Sequence, residues 1–124
     1  MHIAHANDIP STENPCKTSI EELIKNPSHY HKRRVLITGF ISFQFEGHEI
    51  YINQNRLWLH LFTGPPYTEE EIIKDLDKIN AFRKIFEGKF VSLVGTFDQN
   101  NSGHFGLWPA GLRDITGIQL EKSH

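Results

Sequence analysis

Val35-Leu36-Ile37-Thr38-Gly39-Phe40-Ile41-Ser42-Phe43 decides how the rest of the chain is read, because Val91-Ser92-Leu93-Val94-Gly95-Thr96-Phe97 repeats its pattern fifty-six residues later. In each stretch apolar side chains alternate along one face: Val35, Ile37, Ile41 and Phe43 in the first, Val91, Leu93 and Phe97 in the second. That is the period of a strand with one buried side. Gly39 and Gly95 fall on the same face in mid-strand. A glycine there weakens a flat strand, so its use is a sharp bend or a close backbone approach where a sheet coils on itself. The expected architecture is a small barrel.

Working outward, the first strand is expected over 35–45, and Glu46-Gly47-His48 turns it into a second at 49–53, forming a hairpin. Past Gln54-Asn55-Arg56, a third strand at 57–62 alternates strictly, with Leu57, Leu59 and Leu61 on one face and Trp58, His60 and Phe62 on the other. Gly64-Pro65-Pro66-Tyr67 interrupts the chain. Thr68-Glu69-Glu70-Glu71 then reads as a capping box, with carboxylates at the positive end of a helix dipole. The helix is expected over 69–86, with Ile72, Leu76, Ile79, Phe82 and Phe86 at helical spacing and Gly88 as its stop, packed across one open end of the barrel. A fourth strand covers 89–98, and Gln99-Asn100-Asn101-Ser102-Gly103 is turn chemistry. Residues 104–114 read as a short hairpin extension and a compact loop, 115–120 as the last strand, and 121–124 as tail.

On the N-terminal side, residues 1–17 carry two prolines and no periodicity and read as an extended lead-in to a single domain at 18–124. Ser19-Ile20-Glu21-Glu22 is a second capping box, opening a short helix with Ile20, Leu23 and Ile24 on one face that Pro27 stops. His29-Tyr30-His31-Lys32-Arg33-Arg34 leaves a basic cluster at the foot of the first strand.

A chain of 124 residues supports one domain that buries roughly two-thirds of its unfolded surface. Cys16 is the sole cysteine, so no internal disulfide is available. Thirteen Lys and Arg against 15 Asp and Glu give a formal charge of -2, which provides no general attraction to nucleic acid or anionic membranes. Any such binding needs a local patch. No apolar run approaches the roughly 18 residues of a membrane span, and 38% hydrophobic with 23% charged residues is ordinary for a soluble globular protein. Ala4-His5-Ala6 has the small-x-small form of a signal-peptidase site, although the basic and apolar regions that precede such a site are absent. One reading is export to a bacterial periplasm from a longer precursor; the other is an ordinary frayed terminus of a cytoplasmic protein. Lipoprotein processing is excluded, because Cys16 follows Glu13-Asn14-Pro15.

Three strands as a meander, a helix, then two more strands resembles the OB-fold, a five-stranded Greek-key barrel whose helix lies between strands three and four. Here a short N-terminal helix precedes it. The resemblance covers about residues 18–120 and is architectural, so it implies little about activity. More narrowly, Ser19 through Pro27 and Tyr30 to Val35-x-Ile37-x-Gly39, with Phe45-Glu46-Gly47, Leu57-Trp58-Leu59, Gly88-Lys89-x-Val91 and Gly103-His104-x-Gly106 before Gly111-Leu112-x-Asp114-Ile115, is similar to small bacterial proteins from which no activity carries over.

The outward face of the second and third strands, where OB-folds bind, presents Tyr51, Trp58, His60 and Phe62. Such a stripe serves as a stacking platform or as a hot-spot cluster for a protein partner. The competing expectation is that the N-terminal helix or the 64–67 loop covers at least half of it, since exposed aromatic stripes invite aggregation. Eight histidines, His29, His31, His48, His60 and His104 among them, form no pair with metal-ligand spacing, and surface histidines with no metal site are expected. Cys16 lacks a fixed histidine neighbour, and no nucleophile elbow or phosphate loop appears. Glu46, Glu49, Asp98 and Asp114 read as solvated charges at strand ends and turns, with Asp114 bracing the turn into the last strand beside Arg113. No enzyme and no cofactor are expected.

These features point to a non-catalytic binding module that engages a protein partner, in its narrower form a cell-envelope inhibitor or immunity partner of a secreted toxin. The alternative is single-stranded nucleic-acid binding through Tyr51, Trp58 and Phe62, guided by Lys32, Arg33 and Arg34. Against it stand the acidic balance and the ordinary solvation of three basic residues at a strand's foot.

Overall fold

The repeated strands are neighbours. A computed structural model describes residues 14–44, 47–61, 68–103 and 106–121. In it β2 (Arg34–Gln44) pairs antiparallel with β5 (Phe90–Asp98), and the two copies of the pattern face each other reciprocally: Val35 opposite Gly95, Ile37 opposite Leu93, Gly39 opposite Val91. Each glycine therefore meets the other copy's valine, and the inward alternation of both strands feeds one core.

Around this pair the fold is mainly β, with six strands in one sheet and three helices among the described residues. The remaining elements are β1 (Cys16–Lys17), α1 (Ile20–Lys25), α2 (Pro27–Tyr30), β3 (Gly47–Ile52), β4 (Asn55–Leu59), α3 (Glu69–Phe86) and β6 (Gly111–Leu120). The sheet order is β1-β2-β3-β4-β6-β5, and the further β2–β5 pairing brings the hydrogen bonding back on itself as a ring. Most neighbours are antiparallel, whereas β4 and β6 run parallel over Trp58–Gly111 and Leu59–Leu112. No described helix is long and apolar enough to cross a membrane.

The core is filled as strand alternation dictates. Val35, Ile37, Ile41 and Phe43 of β2 are buried with Leu57, Leu59 and Leu61, with Leu93 and Phe97 of β5, and with Ile115 and Ile118 of β6. Removing one such side chain from water contributes roughly 1.5–3 kcal/mol. Gly39 is where this core meets α1: a Cβ there would lie 2.8 Å from Ile50 Cγ1, 2.9 Å from Ile20 Cδ1 and 3.0 Å from the Tyr51 carbonyl oxygen. At Gly95 the limit is Ile115 Cδ1 at 2.8 Å and the Arg113 carbonyl at 3.1 Å. The β5–β6 register slips there, between Val94 opposite Gly117 and Thr96 opposite Arg113, and Asp114 takes the left-handed conformation with φ 52°. The bulge bends β6 around the glycine.

The structure corrects the expected boundaries in several places. The lead-in is not wholly extended coil, because Cys16 and Lys17 pair parallel with Val35 and Leu36, on the edge of β2 that β3 leaves free. Pro27 does not simply end a helix; it occupies the first turn of α2, where its missing N–H is no loss. Half of the Ser19 capping box forms: Ser19 Oγ accepts from Glu22 N at 3.1 Å, while the Glu22 carboxylate turns forward to accept from Asn26 Nδ2 at 2.6 Å. The last strand begins at Gly111 rather than 115, because the β5 ladder continues to Asp98 opposite Gly111 and β4 supplies a parallel partner for Gly111 and Leu112 on the other side. Helix α3 has the expected bounds, yet Leu76 is 47% exposed while Asp75 is buried with Ile79, Phe82 and Phe86. The stripe against the core is thus rotated relative to the expected one. Phe45, Phe62, the 64–67 loop, His104 and the side chains of Glu71 and Ile72 lie outside the described residues.

α3 also takes over where β5 stops. Beyond the Phe40–Phe90 pair, Ile41 N–H donates to the Lys89 carbonyl at 3.1 Å, and Gly88 N–H to the Ile41 carbonyl at 2.9 Å. Phe43 N–H donates to Glu87 Oε1 at 2.7 Å, and Arg83 Nε donates to the Phe43 carbonyl at 3.1 Å. The C-terminal turn of the helix thus satisfies backbone groups of β2 that would otherwise form a bare edge.

Candidate binding surface

On the outer face of the sheet, Tyr51 sits opposite Phe40 on one side and Arg56 on the other. Phe40 lies between two rings, 5.8 Å from Tyr51 and 5.2 Å from Phe90, so half-buried aromatics cross three adjacent strands. One row further along, Trp58 lies opposite Glu49 and beside Gly111. His60 meets Trp58 edge-on at 5.2 Å. Tyr51, Trp58 and His60 therefore do share one face, each half-buried.

Trp58 is not an open platform. Among the described residues its cover is the segment around Gly103 and Trp108, and not the N-terminal helix expected from the sequence. Trp108 is buried, its ring centroid 6.5 Å from that of Trp58. Gly103, at φ 71°, runs so close between them that a Cβ would lie 2.6 Å from Trp108 Cε3 and 2.7 Å from Trp58 Cγ. Glu49 holds this cover down: the Trp108 indole N–H donates to Glu49 Oε1 at 2.9 Å, and Arg56 Nε lies 3.5 Å from the same oxygen. The Arg56 guanidinium also lies over the Trp108 ring, 5.8 Å from its centroid. The Glu49 side chain is only 15% exposed, which corrects its reading as a solvated strand-end charge. Next to this cluster a groove of about 600 Å³ runs between the amides Asn53, Gln54 and Asn55 and the exposed Leu107 and Pro109.

The three basic residues do not form a patch facing this surface. Lys32 occupies a left-handed turn position, φ 67°, and its backbone N–H donates to the Phe97 carbonyl at 2.8 Å. Arg33 stacks over Tyr30 at 5.9 Å and approaches His29 Nε2 at 3.4 Å. Arg34 donates to the Asp114 carbonyl at 2.6 Å, to Thr96 Oγ1 at 3.2 Å and to Thr116 Oγ1, clamping β2 to β5 and β6. Phe40 lies six residue steps along β2 from Arg34, roughly 20 Å at strand rise. The cluster read as one solvated strand end has three structural duties at the far end of the strand.

The other chemistry-bearing residues are dispersed too. No group of three or more His, Cys, Asp or Glu is arranged to hold a metal among the described residues. His31 Nδ1 accepts from Gln99 N–H at 3.2 Å. Arg113 bridges Asp98 and Asp114, at 3.4 and 2.7 Å, but both it and Asp114 lie inside β6, at the bulge, and not in a turn leading into the last strand. Cys16 is a half-buried free thiol beside Arg33 and Arg34. His48 departs from the surface-histidine expectation: it is 9% exposed, next to Phe43, and its Nδ1 is buried without a hydrogen-bond partner among the described residues. Burial pushes its imidazole down to about 4, with the charge of Arg83 acting in the same direction and that of Glu87 against it.

Sequence reasoning missed Glu49, Arg56 and Trp108 as one unit. Their separation along the chain hides the link, since nothing local ties Trp108 to a carboxylate 59 residues away. Phe40 was visible, for it occupies the outward position of a strand whose inward alternation was plain. No protein-family model matches this chain, and no curated protein matches it at a significant level.

Proposed function

We propose that this chain is a non-catalytic binding module built as an OB-like five-stranded Greek-key barrel, with α3 at one open end, and that it engages a protein partner through the outer face of β3 and β4. Supporting the fold half of the proposal is the pairing order β2-β3-β4-β6-β5 returning to β2, with α3 between β4 and β5 in the chain. The observation that carries the functional half is electrostatic. Arg56, the cation beside Tyr51, lies against the Glu49 carboxylate, and Lys32, Arg33 and Arg34 are about 20 Å away along β2. A face of half-buried Tyr and Trp beside an exposed Arg whose positive charge is offset suits the anchors of a protein interface better than a phosphate backbone.

Tyr51→Ala and Arg56→Ala test this better than Trp58→Ala, which would also remove the floor beneath Gly103 and Trp108. Affinity capture from cell-envelope extract, run beside an oligonucleotide titration at two salt concentrations, separates the readings. The expected result is a partner held at moderate salt, weakened at least tenfold by Tyr51→Ala and unaffected by Arg33→Ala. Oligonucleotide binding at micromolar affinity or tighter, falling steeply with salt and with Arg33→Ala, would overturn it in favour of the nucleic-acid reading.

A further inference from the structure

The C-terminal turn of α3 grips one residue of β2 by both of its backbone groups, Glu87 accepting from Phe43 N–H and Arg83 donating to the Phe43 carbonyl. His48 is the cross-strand partner of Phe43 in β3, with ring centroids 6.0 Å apart. A neutral imidazole carries one N–H, whereas a charged one carries two. Charging His48 would put a proton on Nδ1, which is buried and has no acceptor among the described residues. The charged groups acting on it there are Arg83, from the last turn of α3, and Glu87, the residue that follows the helix. Arg83 repels the new charge, and the Glu87 Oε1 is already committed to Phe43.

We propose that His48 makes the attachment of α3 to β2 acid-labile: charging its imidazole drives the ring toward water and releases the Arg83–Glu87 grip on Phe43, while the β2–β5 ladder stays paired. The sign follows from linkage. The closed state favours neutral His48, so the attachment is complete above the ordinary histidine value of 6.5 and is lost as pH falls toward about 4. A difference of that size favours the open form by at most about 300-fold once His48 is fully charged.

The test is amide-exchange protection of Ile41, Phe43 and Gly88 in the full chain between pH 7.5 and 3.5, corrected for the intrinsic pH dependence of exchange, with His48 Cε1 followed by NMR in the same samples. Protection at these three amides should fall as pH drops from 6.5 and level off near 4, where closed-state His48 itself titrates, by up to about 300-fold in all, while the amides of Ile37 and Leu93 hold. His48→Phe and His48→Asn should abolish the acid-dependent loss, and Glu87→Gln should retain it. The proposal fails if His48 titrates without change at Phe43 and Gly88, if the loss persists in the His48 variants, or if Ile37 and Leu93 lose protection at the same pH. Should neither His48 variant fold, the wild-type comparison between the two sets of amides still decides.

Discussion

Gly39 and Gly95 on the inner side of the sheet, and Gly103 on the outer, solve the same steric problem in opposite settings. Inside, the missing Cβ lets α1 and β6 approach strands whose neighbouring side chains are all core. Outside, it lets an irregular segment lie between Trp58 and Trp108 and shield them. The inner neighbours are held from every side by packed side chains and paired backbone. The outer segment is held by Glu49 and a few backbone bonds, such as Trp58 N–H to the Ala110 carbonyl at 3.1 Å. Equal crowding should therefore have unequal cost, since a peripheral segment can lift away and a closed core cannot.

The largest effect is expected at the inner sites. Gly39→Val places its Cβ against Ile50, Ile20 and a backbone carbonyl at once, and should cost about 3 kcal/mol or prevent folding, with Gly95→Val nearer 2 kcal/mol. Urea denaturation measures both, and losses under about 1 kcal/mol would mean that the inner approach is loose. Gly103→Ala combines a left-handed backbone with overlap onto two indoles, yet should cost only about 1–2 kcal/mol because the segment moves. Its signature is a red-shifted, more quenchable tryptophan emission with the far-ultraviolet spectrum unchanged; a cost matching that of Gly39→Val would erase the distinction.

Smaller changes sharpen the contrast at the foot of β2. Arg34→Met removes the hydrogen bonds to Thr96, Thr116 and the Asp114 carbonyl and should lower stability by about 1–2 kcal/mol. Lys32→Gly relieves a lysine held at φ 67° and should leave stability within about 1 kcal/mol of the parent, on the stabilising side. If Arg34→Met were silent, the basic cluster would regain its standing as an ordinary solvated strand end.

Strand alternation and helical spacing are properties of short windows, which is why the β2 and β5 patterns, the three leucines of 57–61 and the bounds of α3 could be read without any tertiary knowledge. The same windows failed where a partner came from afar. Cys16 and Lys17 are strand because Val35 and Leu36 have a free edge, and Gly111 and Leu112 are strand because β4 and β5 flank them. Leu76 was assigned to the core by spacing, but the rotation of α3 about its axis depends on what it packs against, and Asp75 took the inward place. Likewise Tyr51, Trp58 and His60 had to share a face once their strands were recognised, whereas the identity of their cover could not be deduced.

The sequence by itself therefore determined the strands that alternate locally, which side of each is buried and where glycine must stand in β2 and β5, because these depend on a period of two and on the absence of a Cβ. Only the tertiary structure decided that the two glycine-bearing strands pair reciprocally, that Trp108 rather than an N-terminal helix shields Trp58, and that Arg34 is a clamp and His48 a buried base. Each of those outcomes turns on contacts between residues tens of positions apart, which are set by how the sheet closes and not by any local preference of the chain.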